Sequence, residues 1–320
     1  MDTSILTKGA IPFISRNRIP LLALVIFFTI GIIKPIFLSP INMSSLFDSM
    51  AAYGITAVGL TFVMLCGQLD ISIGSVMALT SCVFMQMLPV YGFALSALAM
   101  LALGCVLGAI TGFFVSFFRL SPFIVSMCMQ IAYRGVALTI TKNTPVSVPN
   151  DATLRAISRA HIANIPAAFF IFVLIVIIAQ FVLSRTKFGR NLFIIGGNIN
   201  VADSIGIKVR NHLWAVFVIQ GLCAALGGII MMTRTFSASG NLASEALFSV
   251  IPTVIVGGTA FSGGKGGAVR TLYGVLLMSI IYNAMTMFSL YINFQQLIRG
   301  IILLLIIVSD KYIENRHKKV

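Results

Sequence analysis

Apolar residues run along this chain in blocks of about twenty, the length that carries an α-helix across a ~30 Å hydrocarbon layer. Short breaks separate the blocks and hold most of the charge, glycine and proline. Reading each block as a candidate span gives ten, at roughly Ile19 to Leu38, Leu46 to Cys66, Ile71 to Val90, Tyr91 to Phe118 and Ser121 to Thr141, then Ala167 to Ser184, His212 to Thr233, Ala246 to Phe261, Ala268 to Phe288 and Ile292 to Ser309. The eighth is the weakest. It is short, carries Pro252 and closes on Gly257-Gly258, which reads as a broken or re-entrant helix whose loosened backbone must be buried in protein. The pattern predicts an all-α integral membrane protein, a bundle of about ten transmembrane helices forming one domain over residues 1–320, with sizeable loops only at about 142–166 and 185–211.

Composition excludes a soluble globule. Apolar residues make up 58% of the chain and charged ones only 9%, against about 45–50% and about 25% in ordinary domains. The net charge of +14 invites a nucleic-acid reading, but such proteins gather their bases on one solvated face. Here they sit in the breaks between apolar blocks, so no nucleic-acid partner is expected. With a cytoplasmic N-terminus and alternating spans, Lys8, Arg16, Arg18, Arg119, Arg185, Lys187, Arg190, Lys208, Arg210, Lys265, Arg270 and the tail residues Lys311, Arg316, Lys318 and Lys319 fall inside. Only Lys34, Lys142, Arg155, Arg159 and Arg234 fall outside. That asymmetry orients a multi-pass protein with both termini in the cytoplasm. The first block follows basic residues and is long enough to span, so it is expected to remain as an anchor. The cysteines Cys66, Cys82, Cys105, Cys128 and Cys223 lie in or beside apolar blocks without CxxC spacing and read as small hydrophobes.

Several breaks carry recognisable motifs. In the fourth block Gly104, Gly108 and Gly112 recur every four residues, a bare stripe that lets another helix approach closely; Gly221, Ala225 and Gly228 repeat it more weakly. In GQLDISIGS, with Gly67 and Gly74, Asp70 precedes a fresh apolar run and reads as an N-cap or first-turn residue, with a part in a solute path as the alternative. The segment VIVGGTAFSGGKGGAVR contains Gly257, Gly258, Gly263, Gly264, Lys265, Gly266 and Gly267. It is not a P-loop, because Thr259 and Gly266 stand where that motif needs Gly and Ser or Thr, and it reads instead as a tight turn. Between Arg185 and His212, the stretch Asn200 to Ile205 could form a short helix ending at Gly206, exposed to a cytoplasmic partner or lying on lipid headgroups. Arg134 stands within a span and should face a cavity or the bundle interior, or bind backbone carbonyls. Arg234 and Glu245 flank an outer loop, either paired with each other or docking an external partner. His161, His212 and His317 are scattered, and no HExxH, GxSxG or paired-acid set exists, so no enzyme, metal or cofactor is expected.

Taken together, GQLDISIGSVMALT at Gly67 to Thr80, TKFGRNLFIIGGN at Thr186 to Asn198 and VIVGGTAFSGGKGG at Val254 to Gly267 resemble the ribose-type branch of ABC sugar-import permeases. Weaker matches are Tyr133-Arg134-Gly135, Gly240 to Ala246 and QQLIRGIILLL at Gln295 to Leu305, and the likeness covers nearly the whole chain in order. It implies a permease subunit of the inner membrane that moves a sugar or sugar-like small polar solute. Its implied partners are cytoplasmic ABC ATPase subunits, a second permease chain and an extracytoplasmic solute-binding protein. The stretch resembling the ATPase-coupling helix is Asn198 to Ile207, so the coupling loop contains Gly196, Gly197, Asn198, Ala202, Asp203 and Gly206. After Gly-Gly-Asn the chain reads Ile199-Asn200-Val201 where many relatives have Glu-Ala-Ala or a similar triplet, which leaves homodimer and heterodimer both open. A secondary transporter or facilitator is the alternative reading, and the scarcity of acids, eight in the chain, weighs against one driven by protons.

Overall fold

The computed structural model describes residues 18–148 and 151–317; Lys8, Arg16, Lys318 and Lys319 of the sequence reading lie outside them. Among the described residues the regular elements are helices apart from two two-residue ladders. Its long elements are α1 (Arg18–Ile33), α2 (Pro40–Leu65), α3 (Ile73–Ser116), α4 (Pro122–Ile140), α6 (Ala167–Arg185), α9 (Val209–Thr235), α11 (Ala268–Met287) and α12 (Ile292–His317). Shorter helices are α5 (Ala152–Ser158), α7 (Lys187–Gly197), α8 (Ile199–Ser204) and α10 (Ala246–Val256).

Among the described residues seven helices are long and apolar enough to cross a membrane: α2, α3, α4, α6, α9, α11 and the Ile292–Ser309 part of α12. Seven of that length against the expected ten is a difference that arises in three places. In α1 the helix stops at Ile33, because Lys34 and Pro35 turn the chain into a 3-10 turn, Pro35–Leu38. In α10 it stops at Val256, before Gly257 and the left-handed Gly258 (φ +97°). The blocks Ile71 to Val90 and Tyr91 to Phe118 form one 44-residue element, interrupted by Gly92 at φ 71°, ψ 175°.

That interruption reverses the chain. Met77 and Met100, which would stand about 35 Å apart in an unbroken helix, both approach Gly228 of α9. Phe84 and Phe93 meet edge to face at 5.5 Å. The left-handed φ at Gly92, which a side chain would resist, lets residues 73–91 and 93–116 fold into a hairpin.

Helix α9 is the hub, packed on both α3 and α2. The glycine stripe makes the tightest contact: a Cβ at Gly108 would lie 2.2 Å from the Phe217 carbonyl oxygen, and one at Gly221 2.1 Å from that of Gly104. Backbones that close gain dispersion contact in place of hydrophobic driving force. Long-range polar pairs fasten the rest. Asn42 and Asn283 exchange amide hydrogen bonds at 2.9 Å, the Thr61 and Thr271 hydroxyls meet at 2.7 Å, and the Tyr133 hydroxyl donates to the Leu107 carbonyl at 2.9 Å. At one end β1 (Val146–Ser147) pairs antiparallel with β4 (Ser237–Ala238), and β2 (His161–Ile162) with β3 (Ile165–Pro166). Helices α4, α6 and α12 are the least buried of the spanning helices, each with large apolar side chains exposed.

Candidate functional site: a glycine junction and a mid-bundle cluster

At the end opposite the β ladders, three segments distant in sequence lock together. Cys66 closes α2 and Gly67 (φ +68°) turns the chain away. The freed Leu65 carbonyl accepts from Gly264 N–H at 2.9 Å. Helix α7, capped by the Thr186 hydroxyl accepting from Gly189 N–H at 3.1 Å, presses its own end onto this bond. A Cβ at Gly196 would sit 1.8 Å from the Leu65 oxygen and 2.4 Å from Gly264 N. Gly263 (φ +88°) lies against both Gly67 and Gly196. Lys265 takes part through its backbone, its carbonyl accepting from Ala260 N–H at 2.9 Å, and Gly266 lies against Thr259. Gly257 packs on the Arg270 backbone, where a Cβ would meet the carbonyl oxygen at 2.6 Å. The three motifs of the sequence reading thus become one object.

Helix α8 projects from this junction. Asn198 both ends α7 and caps α8, its side-chain oxygen accepting from Asn200 N–H at 3.0 Å and Val201 N–H at 3.2 Å. The far end closes through Gly206 N–H to the Asp203 carbonyl and Ile207 N–H to the Ala202 carbonyl, both 3.0 Å, with Gly206 at φ +80°. That paired closure around a left-handed glycine is the Schellman motif. Ala202 is buried, while Ile199, Val201 and Ile205 stay 45%, 51% and 60% exposed. Asp203 lines a cleft of about 690 Å³ shared with Gln68, Arg119, Lys208 and Arg210. Gly197 lies against Gly264 through its backbone, where a Cβ on Gly264 would meet Gly197 N at 3.0 Å, but a Cβ on Gly197 itself would point into open space.

A second structural centre lies deeper. Ser72, not Asp70, is the N-cap residue of α3, which corrects the expected cap. Asp70 stands two residues earlier, almost fully buried, with Oδ1 accepting from Ser72 N–H at 2.8 Å and from the Ser72 hydroxyl at 2.6 Å. It fixes the turn that launches α3. A Cβ at Gly74 would meet the Ala243 carbonyl oxygen at 2.5 Å and the Ala246 Cβ at 3.6 Å, so the start of α3 touches the start of α10. Helix α10 has 11 residues and rises about 16 Å from the junction end, roughly half of a ~30 Å core. Segments 66–72 and 236–245 therefore enter the bundle from opposite ends, and two helix N-termini, the positive ends of their dipoles, meet near its middle.

Glu245 sits at the α10 start, as N-cap residue without a side-chain cap bond. Its carboxylate is taken by α12 instead: Arg299 donates to one oxygen and Gln296 to the other. The Arg299 guanidinium also lies 5.0 Å from the Tyr282 ring centroid, and Tyr282 donates its hydroxyl hydrogen to the Phe248 carbonyl at 3.2 Å. Arg234 pairs with Asp48 at 3.8 Å and donates to Ser49 and Ser45 hydroxyls at 2.8 Å. Of the two alternatives for Arg234 and Glu245, mutual pairing gives way to two separate partnerships. Arg134 joins neither group. Its Nε and Nη2 are buried on α4 without a hydrogen-bond partner, so the anticipated backbone carbonyls are not there. Sequence reading missed Gln296, Phe248 and Tyr282; the available signal was Arg299, a base stranded inside a span and in need of an acid.

The family model described as branched-chain amino acid transport system / permease component matches residues 42–307. Similar curated proteins include the ribose import permease protein RbsC of Bacillus subtilis, 31% identical with 88% of each chain covered. The probable ABC transporter permease protein YphD of Escherichia coli is 30% identical, with 96% of this chain and 94% of its own covered. The xylose transport system permease protein XylH of Escherichia coli is 26% identical over 92% and 91%. No solved structure matches the chain.

Proposed function

The chain belongs to the family of branched-chain amino acid transport system / permease components, and we propose that within it the protein is the membrane subunit of an ATP-driven sugar importer of the inner membrane. The solute class is supported by relatives named for ribose and xylose. The partners follow from this reading: cytoplasmic ABC ATPase subunits, a second permease chain, an extracytoplasmic solute-binding protein, and the sugar itself.

One observation carries the energy-coupling half of the proposal. Helix α8 holds Ile199, Val201 and Ile205 exposed at the end of the bundle that bears Lys187, Arg190, Lys208, Arg210 and Lys265, the end that the positive-inside rule assigns to the cytoplasm. A short helix capped at both ends and unable to bury its own apolar face is suited to an ATPase groove. Gly196 and Gly264 then transmit its displacement, because a lock without side chains passes a push from α7 directly to the end of α2 and to the α10–α11 turn.

In the same reading all ten apolar segments enter the membrane, α10 as a half-length piece, and both termini are cytoplasmic. Gly67, Asp70, Gly74 and the Gly257 to Gly266 turn form the gate hinge, since two helix starts meeting at mid-depth can separate without unwinding a continuous helix. Alternating access follows if nucleotide-bound and nucleotide-free ATPase states contact α8 differently. Uptake of radiolabelled D-ribose and D-xylose into proteoliposomes holding the permease, its co-encoded ATPase and its binding protein tests the proposal. Uptake that requires ATP and all three components is expected, and uptake by the permease alone counts against it.

A further inference from the structure

Beside the Glu245 and Arg299 pair lies a cavity of about 360 Å³, lined by Ser244, Glu245, Phe248, Gln296, Arg299 and Gly300. It lies between the α10 start and α12, at the mid-depth that the length of α10 sets. We infer that this cavity binds one neutral polyhydroxylated molecule, a monosaccharide, on its way across the membrane. The inference rests on the importer reading above and adds to it a place and a chemistry.

The lining has the mixture that a sugar needs. Each Glu245 oxygen receives one donor, from Gln296 or Arg299, and a carboxylate oxygen has a second lone pair free to accept from a hydroxyl. The Gln296 amide and Ser244 hydroxyl can each donate and accept, and they are placed beside the carboxylate, so adjacent hydroxyls can be met together. Phe248 is 43% exposed and offers an apolar ring to the C–H face of a sugar. The volume suits the few-hundred-Å³ pockets that hold small molecules.

Charge decides between ligand classes. Glu245 and Arg299 neutralise one another, so a neutral solute leaves the low-dielectric interior without net charge. A free cation or anion would add an uncompensated charge there. An amino-acid zwitterion has to break the existing pair in order to use its two halves, and the cavity lining named above contains no second charged residue to replace either.

Cysteine protection tests this. Gly300 has open space where a Cβ would stand, so Gly300→Cys places a thiol in the cavity without crowding, and Cys128, exposed on α4, serves as an internal control. The full chain in nanodiscs is labelled with a small polar maleimide, with and without D-ribose, D-xylose, D-glucose, D-galactose or L-leucine. At about ten times its dissociation constant a bound sugar should slow labelling at the substituted position about ten-fold, the factor 1 + [L]/Kd, leaving Cys128 unchanged. Adding Gln296→Ala should remove most of that protection while the ion pair stays in place. Protection by L-leucine and by none of the sugars overturns the ligand assignment. No protection by any probe overturns the site, and uptake by the complete transporter separates the two failures. If sugar uptake persists, only the cavity assignment falls; if no sugar is taken up, the importer reading falls with it.

Discussion

Gly196 and Gly197 both lie against Gly264, yet a side chain would point into the junction at the first and into open space at the second. Alanine at Gly196 would put a methyl 1.8 Å from the Leu65 oxygen and 2.4 Å from Gly264 N, astride the 2.9 Å bond that joins them. Both atoms are backbone, so relief requires the end of α7 to lift away from α2 and from the α10–α11 turn. Overpacking of this kind costs about 1–3 kcal/mol, and losing the bridged hydrogen bond adds about 0.5–1.5 kcal/mol. The expected destabilisation by Gly196→Ala is therefore about 2–4 kcal/mol. A Cβ at Gly197 would meet nothing within 4 Å, and Gly197→Ala should change stability by no more than about 0.5 kcal/mol. SDS-induced unfolding of the purified full chain in mixed micelles compares the two. Equal midpoints, or a wild-type midpoint for Gly196→Ala, would refute the junction as a close backbone lock.

Four further outcomes follow from the same contacts. Asp70→Ala loses both bonds to Ser72 and should cost about 1–3 kcal/mol, whereas Asp70→Asn keeps an acceptor and should retain most of the stability in a thermal melt; equal losses would deny the turn its stated role. Gly108→Ala should disrupt the α3–α9 contact strongly and Gly135→Ala, with open space around it, should not, as read by the same melt. Gly206→Ala forces a side chain into a left-handed backbone at about 1–2 kcal/mol, and stimulation of the partner ATPase should fall further than expression, with Gly206→Asn closer to wild type. Arg234→Ala removes a partly exposed pair with Asp48 together with the hydrogen bonds to Ser45 and Ser49 and should cost about 1–2 kcal/mol; a loss of several kcal/mol more would show that Arg234 braces more than these contacts.

Local pattern carried much of the architecture. The apolar blocks placed the helices because length and hydropathy are properties of single segments, and the four-residue spacing of Gly104, Gly108 and Gly112 named a packing face before its partner was known. The chain reversal at Gly92 falls where the block boundary was drawn, although composition there is still apolar enough for helix to continue on both sides. What could not be read is pairing between distant faces. Asn42 finds Asn283, and Glu245 finds Arg299, only because α2 meets α11 and α10 meets α12; nothing within either segment states the partner. Mutual pairing of Arg234 and Glu245 is one of the two readings their nearness in sequence allows, but β4 and the inward run to Ala246 carry them to different partners. The meeting of the α3 and α10 starts was hidden for the same reason. Gly74 and Ala243 are each unremarkable residues until their backbones touch.

The central claim is that α8 is the contact through which work enters the molecule. A single cysteine introduced by Val201→Cys, on the exposed face of α8, tests it most directly in membranes carrying the complete transporter. The account predicts cross-linking to the ATPase subunit and labelling by an impermeant maleimide only from the cytoplasmic side. Labelling from the exterior, or efficient cross-linking to the solute-binding protein in place of the ATPase, would contradict it.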